Sequence, residues 1–422
     1  MGRKNIGANR YHFIKHIQSV DTETSSAYME EILIISNYYP PEKGAAANRI
    51  EQLALKLDQN NYKVCVICPL GNYPMGELFS EYKGKFSVRE NLQNISVKRL
   101  WIYPSNSHNL LKRILSTLSF SSGLFIYLLF KKTPNKVIVQ SPPLLLSFIS
   151  VFVLSLKRKK IILNVSDLWP LAAMELKVLK IGSFSHKISL FMERFIYKKA
   201  TLVFGQSNEI ITHIHSVFPK KQCYLYRNFP DHQSNEIIFN NNVNEPIKLF
   251  YAGLLGIAQG VFELCQKIEL EDLNIELHIF GDGAEKLRIE KFLYKNPSKK
   301  IFFNGMMKRN ELHEILKNFD IAIVPLKTRI YGSVPSKIFE YSALGFPILY
   351  FGGGEGEAIV NDNKLGWVAE VGNFDALNSS LIEISMEGKE RIQIDKKRVF
   401  DYAVNNFNLD LQIKDLIKKG VF

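Results

Sequence analysis

Only four cysteines occur in 422 residues. Cys65 and Cys68 are spaced as C-x-x-C, but no second pair follows at zinc-site spacing, and both sit in the apolar run Lys63 to Pro69. That run reads as a buried strand, and Cys223 and Cys265 are isolated, so all four are expected as reduced thiols of a cytoplasmic protein. Acidic residues are also scarce, 41 against 54 Lys and Arg, for a formal charge of +13. The surplus points to anionic partners, whether nucleotides, nucleic acid or an acidic membrane surface, or else to solvated lysines with no partner. Residues 1–28 lack a continuous apolar stretch, so they do not read as a secretory signal, and Met29 stands directly before the first strand as an alternative start.

What is present is a globular composition, 46% hydrophobic and 23% charged, on a chain long enough for two domains. Apolar runs at Ile32–Ser36, Lys63–Cys68, Ile95–Trp101, Lys136–Gln140, Ile161–Val165 and Leu202–Gly205 alternate with helical patterns. This is the rhythm of an open parallel sheet. After Tyr226-Arg-Asn-Phe-Pro230 the composition turns polar, and the strand rhythm resumes at Lys248–Ala252, which places a linker at 231–245. Two apolar segments, Ile114–Phe130 and Leu144–Leu156, are flanked by Lys112, Arg113, Lys131, Lys132 and the run Lys157–Lys160. The second is too short to span a bilayer; the first is borderline. Basic ends on apolar helices suit a domain resting on anionic lipid, and equally a core helix with solvated ends. The absence of aromatics interleaved with these basic residues argues against nucleic acid.

The chemistry is expected at Tyr331-Gly-Ser-Val-Pro-Ser-Lys-Ile-Phe-Glu340, between the apolar runs Asp320–Pro325 and Pro347–Phe351. Strand, loop, helix and strand make a βαβ unit, which binds ligands at the carboxyl ends of its strands. Pro335 suits a helix start; the free N–H groups of Ser336 and Lys337, the helix dipole and the Lys337 ammonium all favour phosphate. Glu340, three residues on, shares the face of Lys337 and can accept hydrogen bonds from ribose, the plainer reading being a surface pair. Further glycines end successive strands at Gly253, Gly281 and Gly305, so several backbone edges converge on one crevice. In the first half, Gly44 lies in a loop of small residues after the first strand, and Asp167 ends another strand. There Asp167 either orients an acceptor hydroxyl or caps the next helix.

Taken together, Asn37-Tyr-Tyr-Pro-Pro41 with Gly44, Ser166-Asp-Leu-Trp-Pro170, Tyr251-Ala-Gly253 with Ala258-Gln-Gly260, Phe280-Gly-Asp-Gly283 and Val334-Pro-Ser-Lys-Ile-Phe-Glu340 resemble the retaining glycosyltransferases of family 4. The resemblance covers about residues 30 to 420 and is strongest to bacterial O-antigen and capsule enzymes, fucosamine transferases among them. It implies an α/β GT-B fold: two Rossmann-like domains with parallel sheets facing an interdomain cleft. The acceptor-binding domain would span 29–230, the nucleotide-sugar domain 246–400, and a C-terminal helix in 401–422 would return to the first domain. Carried over by residue, Glu340 would bind ribose, and Ser336, Lys337 and Gly253 the diphosphate. Gly281 and Gly305 would border the base, and Gly44 would lie near the sugar or diphosphate.

Three departures from the family pattern involve four positions. Gly332 replaces the first Glu of a Glu-x7-Glu pair ending at Glu340, Leu254 and Gln259 replace a common Arg and Lys, and Ser166 replaces a common His. Lys337 would then be the main cation on the diphosphate, with Gln259 in a nucleotide-sugar-binding position. No Asp-x-Asp occurs, which removes the usual carboxylate pair for a metal–diphosphate complex, so no metal cofactor is expected. The resemblance implies transfer of a sugar, an N-acetylated amino or deoxy-amino sugar, from a UDP-sugar to a lipid-linked saccharide, with Asp167 and Lys337 as catalytic residues. The enzyme would be cytoplasmic and peripheral on the inner membrane face. A nucleotide-sugar 2-epimerase of the same fold and a noncatalytic nucleotide-sugar-binding partner of another transferase remain the alternatives.

Overall fold

The computed structural model describes residues 30–107, 109–175, 177–231 and 245–422. The N-terminal extension expected at 1–28, and nearly all of the linker expected at 231–245, lie outside the described residues. The first domain runs β1 (Glu30–Ile35), α1 (Ala45–Gln59), β2 (Tyr62–Pro69), β3 (Ser87–Leu92), β4 (Ile95–Leu100), α2 (Leu110–Phe130), β5 (Lys136–Ser141), α3 (Leu144–Leu156), β6 (Lys160–Val165), α4 (Leu171–Glu175), α5 (Phe184–Lys199), β7 (Leu202–Gly205), α6 (Asn208–Val217) and β8 (Cys223–Leu225). The second runs β9 (Ile247–Leu254), α7 (Val261–Lys267), β10 (Ile275–Asp282), α8 (Lys286–Lys295), β11 (Ile301–Gly305), α9 (Arg309–Leu316), β12 (Ile321–Pro325), α10 (Ser336–Ala343), β13 (Ile348–Phe351), α11 (Glu355–Asp362), β14 (Gly366–Ala369) and α12 (Phe374–Asn406), followed by α13 (Leu409–Lys418).

These strands form two sheets, ordered β3-β4-β2-β1-β5-β6-β7-β8 and β11-β10-β9-β12-β13-β14. Every pairing is parallel except β3 against β4. Largely apolar runs form the inner strands because both faces are covered by helices. In β1, Leu33 and Ile35 enter one core while Ile32 and Ile34 enter the other. In β9, Leu249 and Tyr251 likewise part from Phe250 and Ala252. Successive side chains point to opposite faces, so each sheet supplies two cores.

The boundary expected at residue 400 falls inside α12, which runs through a kink at Gly388 and stays on the second domain as far as Val399, Ala403 and the following Phe407. The crossover comes next. Leu409, Ile413 and Leu416 of α13, with Val421 and Phe422, are buried in the first domain's core. Gln412 secures the return, accepting from the Arg227 amide at 2.9 Å and donating to its carbonyl at 3.0 Å.

The two domains also touch directly. Glu355 stands at the start of α11 in the second domain, yet its two carboxylate oxygens accept from the amides of Asn208 and Glu209, each at 3.0 Å. The start of α6 in the first domain is therefore capped by a carboxylate from the other domain. Arg227 completes a buried ion pair with Glu355. Nearby, Ser207 Oγ donates to the Gly332 carbonyl at 2.8 Å, and Glu209 accepts from the Gly332 amide at 2.6 Å and from Arg329 Nη2 at 2.5 Å.

Candidate active site

The carboxyl ends of β9 and β10 open into a cavity of about 750 Å³ at the junction of the domains. Gly253 and Gly281 are register partners on these strands. At Gly281, with φ +150°, a Cβ would fall 1.9 Å from the Gly253 carbonyl oxygen, so only glycine fits there. The removal of side chains leaves the backbone edge as a wall, and the helix α10 stands across from it.

Pro335 is the residue just before α10 rather than its first residue, which makes Ser336 and Lys337 the first two positions of the helix. Their amides belong to the turn that has no intrahelical acceptors. Lys337 and Glu340, one turn apart, both line the cavity. The Lys337 ammonium donates to the Tyr341 hydroxyl at 2.9 Å and lies against Gly253, where a Cβ would meet Lys337 Cε at 2.7 Å. Among the described residues that line the cavity, Lys337 is the one Lys or Arg.

The cavity thus brings together four of the expected residues, Gly253, Gly281, Lys337 and Glu340, with Asn48 of α1 reaching in from the first domain. Five others fall outside its walls. Gly44 ends the loop before α1, beside Tyr73, one turn ahead of Asn48. Ser336 contributes to the helix start and not to the wall. Gly305 closes β11, and the wall is carried on by the next residues, Met306 and Met307. Gln259 folds back over Gly256, its buried Oε1 without a partner, while Leu254 occupies the wall and is exposed.

Asp167 stands in the first domain beside Arg49. Burial raises the Asp167 carboxyl above its ordinary value, and Arg49 together with the neighbouring Ser166 opposes that shift. Burial in turn lowers the Arg49 guanidinium, with Asp167 and Tyr226 counteracting. Arg49 Nη1 donates to Gln206 Oε1, while its Nε is buried without a partner. Ser166, where the family pattern often has His, is tied into the sheet edge: its hydroxyl accepts from Gln140 Nε2 at 3.0 Å and donates to the Ser141 carbonyl at 3.2 Å.

Gly332 has a clear spatial reason to be glycine. Its φ is +86°, and a Cβ would sit 3.0 Å from Ile210 Cγ1 and 3.2 Å from Leu168 Cδ1, both in the first domain. The loop before α10 is pressed against the opposite domain at the position where the family pattern places a Glu. Sequence reasoning missed Asn48, Arg49, Tyr341 and Glu355. Asn48 and Arg49 directly follow the small-residue loop of Gly44, which was the available signal; nothing local distinguishes Tyr341 or Glu355. Among the described residues, no three His, Cys, Asp or Glu side chains gather as a metal-binding group.

With this geometry in hand, the chain can be set beside known proteins. Sucrose-phosphate synthase from Thermosynechococcus elongatus is similar in structure with a TM-score of 0.68 at 16% identity, over 92% of this chain and 98% of that one. The fold is GT-B. HepE of Anabaena, in complex with UDP, is similar with a TM-score of 0.63 at 12% identity, over 93% of this chain and all of that one. The lipopolysaccharide outer core galactosyltransferase WaaB gives 0.58 at 15% identity, over 91% and 99%. At such identities the likeness to this GT-B chain concerns the fold alone. By sequence, residues 233–398 match the family described as glycosyl transferases group 1, and no curated protein matches the chain. The family match and the GT-B fold together support a glycosyltransferase.

Proposed function

We propose that the protein is a retaining, metal-independent glycosyltransferase that moves a sugar from a UDP-sugar to a hydroxyl of a lipid-linked saccharide, in bacterial O-antigen or capsule synthesis at the inner face of the cytoplasmic membrane. The sugar is an N-acetylated amino or deoxy-amino sugar. The observation that carries the reading is the cavity between glycine-ended strands and α10, where one helix face presents an ammonium and a carboxylate one turn apart. A nucleoside diphosphate matches that pair: the diphosphate on Lys337 and the start of α10, and the ribose hydroxyls on Glu340. The UDP held by HepE favours uracil as the base, and the role of WaaB in the lipopolysaccharide outer core favours a surface saccharide as the acceptor.

In the reaction, the bond from the anomeric carbon to the diphosphate oxygen breaks, and the acceptor oxygen bonds to the same face of that carbon. The acceptor proton passes to the departing phosphate oxygen, so no strong protein base is needed. Lys337 and the first amides of α10 stabilise the charge that grows on the diphosphate. Asp167, held beside Arg49, orients the acceptor hydroxyl from the opposite domain.

The test is a thermal-shift series with UDP, GDP, TDP and their sugars, repeated with Lys337→Ala and Glu340→Ala. UDP should raise the melting temperature of the parent protein and of neither variant. A ligand at a hundred times its Kd contributes about 2.7 kcal/mol, which is readily seen. No shift with any nucleotide would overturn the assignment. Turnover of nucleotide-sugar without acceptor would indicate an epimerase, and loss of transfer on chelation would contradict metal independence.

A further inference from the structure

The layer of α2, α3 and α5 carries an apolar surface that the fold does not use. One side of α2 is buried in the core through Phe120, Leu124 and Leu128. The remainder faces outward, and only 28% of the apolar stretch Leu111–Phe130 is buried. Leu115 of α2 is 50% exposed and Phe191 of α5 is 62% exposed, while Ile181, in the turn leading into α5, and Phe184, the first residue of that helix, reach 71% and 79%. Phe148 and Phe152 of α3 and Phe191 and Phe195 of α5 form one ring cluster, with centroids 5.1 to 6.4 Å apart, which joins the neighbouring helices into a continuous face. An apolar face of this extent on a water-facing protein marks an interaction site.

The charge around the face identifies its occupant. Not one Asp or Glu occurs between Glu90 and Asp167, although Lys112, Arg113, Lys131, Lys132 and the run Lys157–Lys160 all lie in that interval. Between Glu175 and Lys199 the single acidic residue is Glu193, which is buried beside His213. Ordinary solvated surfaces mix the two signs; a protein partner would be expected to meet both. Apolar side chains bordered mostly by cations, with Glu31 of β1 an acidic neighbour at the Lys132 end of α2, match a bilayer of anionic lipid, with acyl chains under the former and headgroup phosphates under the latter.

We propose that α2, α3, α5 and the turn preceding α5 dock flat on an anionic phospholipid bilayer. α2 lies on the membrane and does not cross it, because its inner side is part of the first domain's core. The basic, apolar turn at Lys177–Phe184 follows α4, which itself begins four residues after Asp167. Docking therefore brings the Asp167 end of the first domain to the bilayer, and a lipid-linked acceptor reaches it without leaving the membrane. This last step rests on the proposed transferase function; the docking itself does not.

Flotation of the full chain with vesicles tests it. The protein should float with phosphatidylglycerol-containing vesicles, should not float with phosphatidylcholine alone, and should be released by high salt. Phe191→Glu, and separately Ile181→Glu, should abolish flotation. Lys177→Ala with Lys180→Ala should weaken it by about fivefold for each cation removed. All these variants should keep the melting shift given by UDP, which separates loss of docking from misfolding and from failure of the transferase reading. Failure of the parent protein to float with anionic vesicles would overturn the proposal. So would a dimer in light scattering that Phe191→Glu dissociates, since the face would then belong to a second copy of this chain.

Discussion

Tyr341 donates its phenolic hydrogen to the Ala252 carbonyl at 2.6 Å, and the same oxygen accepts from Lys337 Nζ at 2.9 Å. The buried tyrosine is a strut between the end of β9 and the Lys337 ammonium on the cavity wall. An ammonium on a four-carbon chain is otherwise free to swing, and fixing it beforehand reduces the cost of meeting a diphosphate. Tyr341→Phe removes this hold while keeping the ring in its place. UDP affinity should fall by about tenfold, the usual size of one net hydrogen bond to a charged group. Isothermal titration would measure it; unchanged affinity would show that Lys337 needs no strut.

Gly332 predicts the outcome of an apparent repair. Introducing the carboxylate of the family 4 pattern with Gly332→Glu places a Cβ on left-handed backbone and against Ile210 and Leu168. The variant should lose about 1–3 kcal/mol of stability to backbone strain, before any cost of parting the domains. Transfer should fall rather than rise. Denaturant midpoints and a transfer assay would decide, and a more active Gly332→Glu enzyme would refute this account of the glycine.

The Arg49 and Asp167 pair predicts a pH effect. Burial raises the Asp167 carboxyl, and Arg49 holds that rise in check. If the carboxylate orients the acceptor, activity is lost as pH falls through its pKa, at a pH above that of an exposed aspartate. Arg49→Met removes the restraint and should move this acid limb of kcat/KM to still higher pH. Identical profiles for parent and variant would remove Asp167 from the ionising groups of the reaction.

At the base of the second domain, Lys396 of α12 is buried and donates to the Phe319 carbonyl at 2.6 Å. Burial pushes its ammonium down to about 8 from 10.5, partly offset by Asp320. Between these values the unfolded chain binds the proton that the folded chain has released. Lys396 therefore contributes a stability that rises with pH across this window and is absent below it. The slope is at most about 1.4 kcal/mol per pH unit. Unfolding curves of Lys396→Met and the parent protein, taken from pH 7 to 10.5, should converge or diverge by this rise. Parallel curves would mean the lysine keeps its proton in the fold.

Much of the fold was legible in local sequence. Largely apolar runs located β1, β2, β4, β5, β6, β7, β9, β10, β11, β12 and β13, and those buried along their whole length, β7, β12 and β13, are apolar throughout because both their faces are covered. The strands that escaped notice lack that signature: β3 alternates exposed and half-buried residues on an antiparallel edge, β8 has three residues, and β14 has four that are mostly half-buried. α12 escaped because Gly388 interrupts its pattern with φ +73°.

What the sequence determined by itself is local and periodic: the parallel strands, the glycines at their ends, and Lys337 and Glu340 on one helix face. These follow from spacing within a few residues, and no distant contact alters them. The tertiary structure alone decided the rest. It put Asn48 on the cavity wall with Lys337, tied Glu355 to Arg227, set Arg49 beside Asp167 and pressed Gly332 against Leu168. It also decided that α2 has one buried side, which no hydropathy of the helix alone reveals. Each of these relations joins residues far apart in the chain, and only the packing of two domains fixes which of them meet.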